Sequence, residues 1–523
     1  MEKIKQILDS VHGYVSIPPL YADKIIDTPQ FQRLRRIEQT SCRALFPSAR
    51  HDRFIHSIGV FHLGSLICKH LWNNIFTDNE KQDNHLIAII VTYRLACLLH
   101  DVGHTPFSHT FEDFFDNNRN NLLNTLAGYI PEDENFEQEF ISQFTSRGEL
   151  RFAAHELLSA IVAIKYYKEI IVSQENEWEG KQQQGIPSLL VRMIVGCRYN
   201  NPQNSLEDAF IELIHSDIID ADGLDYVCRD VWASGYSTSK VDITRIINSI
   251  VLCQENERYI VCYNSKALNE IKSVLQVKDF QNDFVFNHHT IVLEQKILHQ
   301  AMQSAAMHHL RINLDRNEDP DNIRTDALKQ LCNINMFYSG GFVLPNGEII
   351  KNPMDDDFIH LMKIVDDKYI NQWFSRQFHW FPLWKRKEAF LADLTDELRK
   401  DLDEHAWIFS ESCKKYIESR YLISAQEIWF SEIKQKNKLE KLNNAFIYSN
   451  NQVCKYSKLY DDNAESSKAQ QPHLKFIFLP KSLENSRKQI QQDLLQEWKK
   501  HIRTSTSKCC LKKVISQIKK FCN

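Results

Sequence analysis

The 523-residue sequence has no apolar run approaching the roughly 18–20 residues that span a bilayer; its longest, such as Leu86–Val91, are core-sized. No apolar leader core follows the opening Met1, Glu2, Lys3, Ile4, Lys5 and Gln6, so neither a membrane partner nor a secretory signal is expected. No Cys-x-x-Cys pair occurs among the 13 cysteines, and their number is odd. That argues against a disulfide framework or a zinc ribbon, and for reduced thiols in a cytoplasmic setting. Excess positive charge is missing as well. With 63 basic and 68 acidic residues the net charge is −5, which excludes a generic nucleic-acid coat protein. Glycine is scarce, at 14 residues, so a glycine inside a motif carries extra weight. There is no internal repeat. The 43% hydrophobic and 25% charged residues are those of a globular chain. At about 100–200 residues per domain, the length allows about three domains, or one large domain with additions.

Helical periodicity dominates. Leu86–Leu99 reads as a mostly buried helix, and His155–Val172, Ser205–Asp230 and Phe284–Leu310 repeat apolar positions at helical spacing. Ser205 with Asp208 resembles a capping start. Ser249–Gln254 and Arg258–Tyr263 read as an antiparallel hairpin, and Leu474–Leu479 as a strand. The Asn-rich Asp116–Asn124 and the polar Gln174–Gly185 read as surface loops. A boundary is expected near Asp315–Asp321, turns at Ser339-Gly340-Gly341 and Pro345-Asn346-Gly347, and a polar linker at Asp461–Gln471. The last 25 residues carry Lys499, Lys500, Arg503, Lys508, Lys512, Lys513, Lys519 and Lys520 and no acid. They are either a solvated helix face or a contact for a polyanion such as single-stranded nucleic acid.

The chemistry lies in histidines and aspartates. His100 and Asp101 follow an apolar helix in the run Leu98–His104. Adjacent helical side chains diverge by about 100°, but both can meet one ion where the helix ends and the chain turns. Gly103 and Pro106 supply that ending. Imidazole nitrogen with carboxylate oxygen suits a divalent transition metal such as Fe, Mn, Zn or Ni. His104 and His109 follow closely, Arg53-Phe54-Ile55-His56 lies upstream, and Asp220, Asp222 and Asp225 lie downstream. Charges in so apolar a setting need partners or a metal.

His56, His100-Asp101 and the distant Asp222 resemble the H…HD…D signature of the HD superfamily of metal-dependent phosphohydrolases. Ile25–Arg35, Arg53–Val60, His100–His109 and Leu224–Asp230 further resemble segments of the deoxynucleoside triphosphate triphosphohydrolases, which include bacterial dGTPases and a mammalian SAM- and HD-domain enzyme. The resemblance covers roughly residues 1–310 and continues weakly to about residue 390, past Arg386-Lys387. It implies a mainly α fold: an HD-domain helical core with a small β-hairpin over residues 1–315, then a helical C-terminal region with a few strands over residues 316–523. That second region would serve regulation and oligomerisation and end in the basic tail 499–523. No SAM domain is expected.

The resemblance implies roles by position. His56, His100, Asp101 and Asp222 would hold the metal. Arg53 would clamp phosphate, and His104, His109 and His155 would line it, with His109 and His155 favoured for proton transfer. Gln39, Tyr226 and Asp230 would bind the deoxyribose. The plainer alternatives are an Arg53 paired with an acid, a helix-start His155, a core Tyr226 and a surface Gln39; Asp220 and Asp225 read as second-line or helix-face charges. Lys5, Asp27, Gln32 and Arg35 match positions that take an activating guanine nucleotide between subunits of the mammalian member; the same segment also builds the fold. The chain departs from that member in having Gly223, Val285 and Leu293 where it has a lysine, an arginine and a tyrosine. Two cationic phosphate contacts are then missing, which other lysines or arginines, or Mg²⁺ with the nucleotide, could replace.

The implied activity is hydrolysis of dNTPs to deoxynucleoside and inorganic triphosphate, controlling dNTP pools, with antiviral or antiphage defence as one use. A homo-oligomer, dimer or tetramer, is implied too. The alternatives are an HD phosphohydrolase for another nucleotide phosphoester, or a nucleotide-sensing or nucleic-acid-binding HD protein.

Overall fold

The computed structural model describes residues 4–112, 119–146, 149–150, 152–236, 241–313, 319–332, 341–344, 346–432, 437–459 and 475–500. The start of the Asn-rich stretch, residues 315–318 of the expected boundary, Ser339, Gly340, Pro345, the linker Asp461–Gln471 and the basic tail beyond Lys500 lie outside them.

The fold is mainly α with small sheets, as the periodicity and resemblance predicted. The chain forms two compact units. The first comprises Met1–Gln281, Leu298–Ile370 and Asn437–Asp462, and the second Asn282–Ile297, Asn371–Lys436 and Asn463–Asn523.

The first unit opens with a hairpin absent from the sequence reading, β1 (Lys5–Asp9) and β2 (Gly13–Ile17). It buries Val15 and Ile17 and exposes Leu8 and Tyr14, the period-2 alternation of a half-buried pair. Helix α1 (Arg53–Asn74) starts where the Asp52 carboxylate accepts from Ile55 N, and α2 (Asn84–Leu99) where Asp83 accepts from His85 N. Every residue of α2 from Leu86 to Leu99 is buried, which explains a helix apolar on all faces. It stops at His100; Val102 N and His104 N then bond to Leu99 O and Asp101 O in tight turns. Gly103 is required there, because a Cβ would run into the Leu158–Ser159 backbone of α3 (Ala154–Ile171).

Three expectations need correcting. Ser205–Asp230 is not one helix but two, α4 (Ser205–Ile214) and α5 (Ala221–Ser234). Asp220 is extended and its carboxylate accepts from Gly223 N and from Ser216 N; a capping side chain restarts the helix, so Asp222 sits in a first turn. Asp208 does not cap α4 with Ser205: it accepts from Tyr199 N and Asn200 N. The Asn-rich loop is also partly helical. Arg119–Tyr129 is an α-helix that buries Leu122, Leu123 and Leu126, so apolar spacing overrides the local Asn preference.

The expected hairpin is present as β3 (Ile250–Glu255) and β4 (Arg258–Asn264). Asn256 and Glu257 both have positive φ, as a two-residue turn requires. The hairpin is part of a four-stranded sheet, because Phe446–Ser449 pairs parallel to β4 and Gln452–Lys455 completes the edge. Helix α6 (Leu268–Gln281) follows. Of the helix expected at Phe284–Leu310, Asn282–Phe286 is a π-turn and His289–His309 is α-helical.

In the second unit, the strand expected near Leu474 is Lys475–Pro480. It runs between Trp380–Pro382 and Trp429–Glu432, antiparallel to both. The Trp380 and Trp429 indoles stack at 3.9 Å. Among the described residues no helix is long and apolar enough to cross a membrane, and the ten cysteines there are unbridged.

Candidate metal and phosphate site

Three helix ends converge on the predicted metal ligands. The first turn of α1 supplies His56, the end of α2 supplies His100 and Asp101, and the first turn of α5 supplies Asp222. His56 Nε2 lies 3.0 Å from Asp222 Oδ1, 3.3 Å from His100 Nε2 and 3.7 Å from Asp101 Oδ2. His100 Nε2 lies 3.6 Å from Asp101 Oδ2 and 3.8 Å from Asp222 Oδ1. Each histidine is engaged at its other nitrogen: His100 Nδ1 lies 3.0 Å from Cys97 O, and His56 Nδ1 lies 2.7 Å from Asp225 Oδ2. Donation from Nδ1 leaves both Nε2 lone pairs facing the two carboxylates. Two nitrogen lone pairs and two anionic oxygens at one point repel unless a cation lies between them, so the donor set fits a divalent metal.

Arg53 lies on the same first turn of α1. Its Nη1 donates to Asp101 Oδ2 at 2.5 Å, Nε to Ser108 Oγ at 2.9 Å and Nη2 to Gln39 O at 3.4 Å. It does pair with an acid, and that acid belongs to the cluster. Burial raises the Asp101 pKa, but Arg53 and the neighbouring imidazoles hold it well below the usual carboxylate range.

The loop after His104 is bent sharply. Phe107 and Ser108 both have positive φ, a strained conformation for residues with side chains. Asp355 fixes it, with Oδ1 accepting from Phe107 N at 2.6 Å and Oδ2 from Glu38 N at 3.0 Å. The bend brings three predicted histidines together. The His104 and His155 rings stack at 4.4 Å, and His109 lies edge-on to them at 5.2 and 5.0 Å. Glu112 joins two of them, with Oε2 2.9 Å from His109 Nδ1 and Oε1 2.7 Å from His155 Nδ1. Burial opposes a charge on His155, but Glu112 raises its pKa; burial, Arg53 and His155 keep His104 well below its ordinary value and so neutral.

His51 links the backbone of Gln39 to the carboxylate of Asp230. Gln39 is buried, not a surface glutamine, and its Oε1 has no hydrogen-bond partner among the described residues. Gln39 N donates to His51 O, and His51 Nε2 lies 2.7 Å from Asp230 Oδ1. Tyr226 is half-buried one turn earlier on α5. The nucleotide positions form two surface pairs: Lys5 Nζ donates to Asp27 Oδ2 at 2.5 Å, and Arg35 Nε to Gln32 Oε1 at 2.9 Å. Gln32 Nε2 also donates to Ile26 O, next to Asp27.

Sequence reasoning passed over Glu112, His12, His51 and Arg229, and gave Asp225 only a background role. Glu112 follows His109 by one helical turn, and Asp225 precedes Arg229 by four residues; those spacings were the available signals. Asp9, His12 and Asp225 also bring donor atoms within 4.8 Å of one another. There the positive charge is Arg229, whose Nη2 lies 2.6 Å from Asp9 Oδ2 and 2.8 Å from Asp225 Oδ1.

Residues 53–192 match the family described as HD domain. Over 319 residues the chain is 26% identical to the deoxynucleoside triphosphate triphosphohydrolase SAMHD1 of Danio rerio, covering 59% of this chain and 46% of that protein. It is 42% identical over 117 residues to the Bos taurus protein of the same name, covering 22% of this chain and 18% of that one. The chain thus spans less than half the length of these two relatives. A crystal structure of a hypothetical protein from Aquifex aeolicus shares the fold, with a TM-score of 0.54 at 20% identity over 95% of this chain and 100% of that one. Residues 53–192 thus match the HD domain family, and the chain is similar over part of its length to deoxynucleoside triphosphate triphosphohydrolases.

Proposed function

We propose that the chain is a metal-dependent phosphohydrolase that converts dNTPs to deoxynucleoside and inorganic triphosphate. The observation that carries this reading is the junction of the His56/His100/Asp101/Asp222 cluster with a second group, His104, His109 and His155, through Arg53. A divalent cation held by the four ligands, transition metal or not, would polarise a phosphate oxygen and acidify a water.

The chain's own residues do the rest. Arg53 keeps Nη2 directed toward His109, 3.4 Å from its Nε2, and orients a phosphate oxygen between them. His155, with its raised pKa, holds the proton that the leaving 5′-oxygen needs, and Glu112 keeps that proton on the ring. Neutral His104 stacks on His155 and fixes its plane. Gln39, Tyr226 and Asp230 take the sugar, with the Gln39 amide oxygen as an acceptor for a hydroxyl. Mg²⁺ would accompany the nucleotide. The Lys5–Asp27 and Gln32–Arg35 pairs offer a guanine nucleotide site between subunits, and Asp27→Ala should abolish nucleotide-stimulated assembly while leaving metal content unchanged.

The test is metal-supplemented hydrolysis of each dNTP, singly and in mixtures, with products resolved and a His100→Ala/Asp101→Ala protein as control. Deoxynucleoside with intact triphosphate, lost in the control, is expected. Release of phosphate or pyrophosphate would place the cleavage at another bond of the dNTP, and no turnover in any mixture would favour another nucleotide phosphoester as substrate or a missing activator.

A further inference from the structure

His51 and Asp230 form a buried pair to which no step of the phosphohydrolase reading gives a role. Their side chains are 4% and 7% exposed, and His51 Nε2 lies 2.7 Å from Asp230 Oδ1. A carboxylate only accepts, so the imidazole donates through Nε2. That bond occupies one carboxylate oxygen. Among the described residues the other, Oδ2, accepts no hydrogen bond, and the buried His51 Nδ1 has no partner either.

His51 belongs to a short paired segment. Gln39 N donates to His51 O at 3.1 Å, Arg53 N donates to Ile37 O at 3.0 Å, and Glu38 bridges to Asp52 between them. Gln39, His51 and Arg53 therefore share one hydrogen-bonded frame. Two bonds tie this frame to α5: His51 to the Asp230 side chain, and Ser48 Oγ, which donates to Ala233 O at 2.8 Å. Opposite polarities meet on the frame. At Arg53 it presents N–H donors, which suit phosphate. At its other end stand acceptors, Asp230 Oδ2 and the buried Gln39 Oε1, which has no partner among the described residues. Buried acceptors without donors call for a ligand that donates, and oxygen acceptors would repel a phosphate. A sugar hydroxyl supplies the donor, and in a 5′-linked deoxynucleotide the free sugar hydroxyl is the 3′ one.

We propose that His51 is a positioning residue of the sugar site: by holding Asp230 Oδ1 it aims Oδ2 at the 3′-hydroxyl of the deoxyribose. The inference deepens the dNTP reading and rests on it for the identity of the sugar. A carboxylate held at one oxygen meets the hydroxyl without the ordering cost of a free side chain. A histidine that only fastened the frame to α5 would act differently: its loss would lower stability and weaken every nucleotide alike.

The experiment compares each dNTP with its 2′,3′-dideoxy counterpart on the metal-loaded full chain, by KM and kcat, and repeats the comparison as binding with the metal chelated. Wild type should favour the 3′-hydroxyl about 10–100-fold, the effect of one charge-assisted hydrogen bond. His51→Ala should bring that preference close to one by weakening the dNTP, with the dideoxy compound within a few-fold of wild type. His51→Gln, whose amide can donate from the same place, should restore it, and Ser48→Ala, which removes the other tie, should leave it intact. Should His51→Ala not fold, His51→Phe carries the same expectation. A preference that survives loss of the imidazole, or that wild type lacks, overturns the proposal. A His51-dependent preference in binding without dNTP turnover would leave it standing and remove the dNTP reading; dNTP turnover with a preference indifferent to His51 would do the reverse.

Discussion

Asp225 bridges two histidines: its Oδ2 lies 2.7 Å from His56 Nδ1 and its Oδ1 2.7 Å from His12 Nε2. Arg229 grips the same carboxylate through Nε and Nη2, each at 2.8 Å, and reaches on to Asp9 at the end of β1. Burial raises the Asp225 pKa, yet Arg229 and the two histidines hold it well below the usual range. One proposed metal ligand is thus oriented by a buried array that ends in the N-terminal hairpin.

Asp225→Asn should therefore weaken metal binding about 10–100-fold, the usual effect of removing a carboxylate behind a ligating histidine. Metal affinity by competition with a chelator is the measurement. An unchanged affinity would mean that His56 is held by α1 alone.

Glu112→Gln should move the pH profile. Glu112 raises the His155 pKa, so without that charge the ring gives up its proton at lower pH. If His155 supplies the proton to the leaving oxygen, activity falls off on the alkaline side, and that limb shifts toward acid in the variant, with a rate loss smaller than the roughly 10²–10⁴ that the whole proton transfer contributes. A limb that stays in place would assign the proton to another group.

Two helical glycines should respond to alanine with opposite signs. In Gly59→Ala the new methyl meets the Asp225 carboxylate and lies 2.5 Å from Arg229 Nη2. Overpacking of that kind costs about 1–3 kcal/mol and should also loosen His56. Gly128, in the helix Arg119–Tyr129, has nothing within 4 Å of such a methyl, so Gly128→Ala should stabilise by roughly 0.5–1 kcal/mol. Denaturant midpoints compare the two; a neutral Gly59→Ala would show that α1 and α5 separate easily.

The four proposed metal ligands were legible because ligands clustered at helix ends leave a local trace: His100-Asp101 sits where an apolar run meets glycine and proline. What supports them was not. Asp220, Asp222 and Asp225 are three carboxylates within six positions, and only the extended Asp220 backbone decides that the first caps, the second faces the cluster and the third turns toward Arg229. That same backbone break divided a helix that periodicity alone runs together. For Gln39 a surface position stayed open beside the sugar-binding one, because nothing local marks an amide that is buried by its neighbours.

Asp355 links stability to pH near this site. Burial pushes its carboxyl up to about 7, against the hydrogen bonds from Glu38 N and Phe107 N and the charge of Arg33. An unfolded aspartate titrates near 3.9. Between about pH 4 and pH 7 the folded chain therefore holds the extra proton, so the stabilising contribution is complete below the unfolded value and is lost as pH rises through the folded one. Asp355→Asn cannot ionise, and it should flatten the fall in unfolding free energy across that window. Its amide oxygen still accepts from Glu38 N or Phe107 N, but its NH2 group cannot accept from the other, which adds a cost of about 1–3 kcal/mol at every pH. Urea denaturation of both proteins at intervals from pH 4.5 to 8 separates the two effects. Curves that stay parallel would mean that the paired N–H groups keep Asp355 ionised throughout. The Phe107–Ser108 bend would then rest on a buried charge, and Asp355→Asn would disturb His109 and Arg53 at every pH.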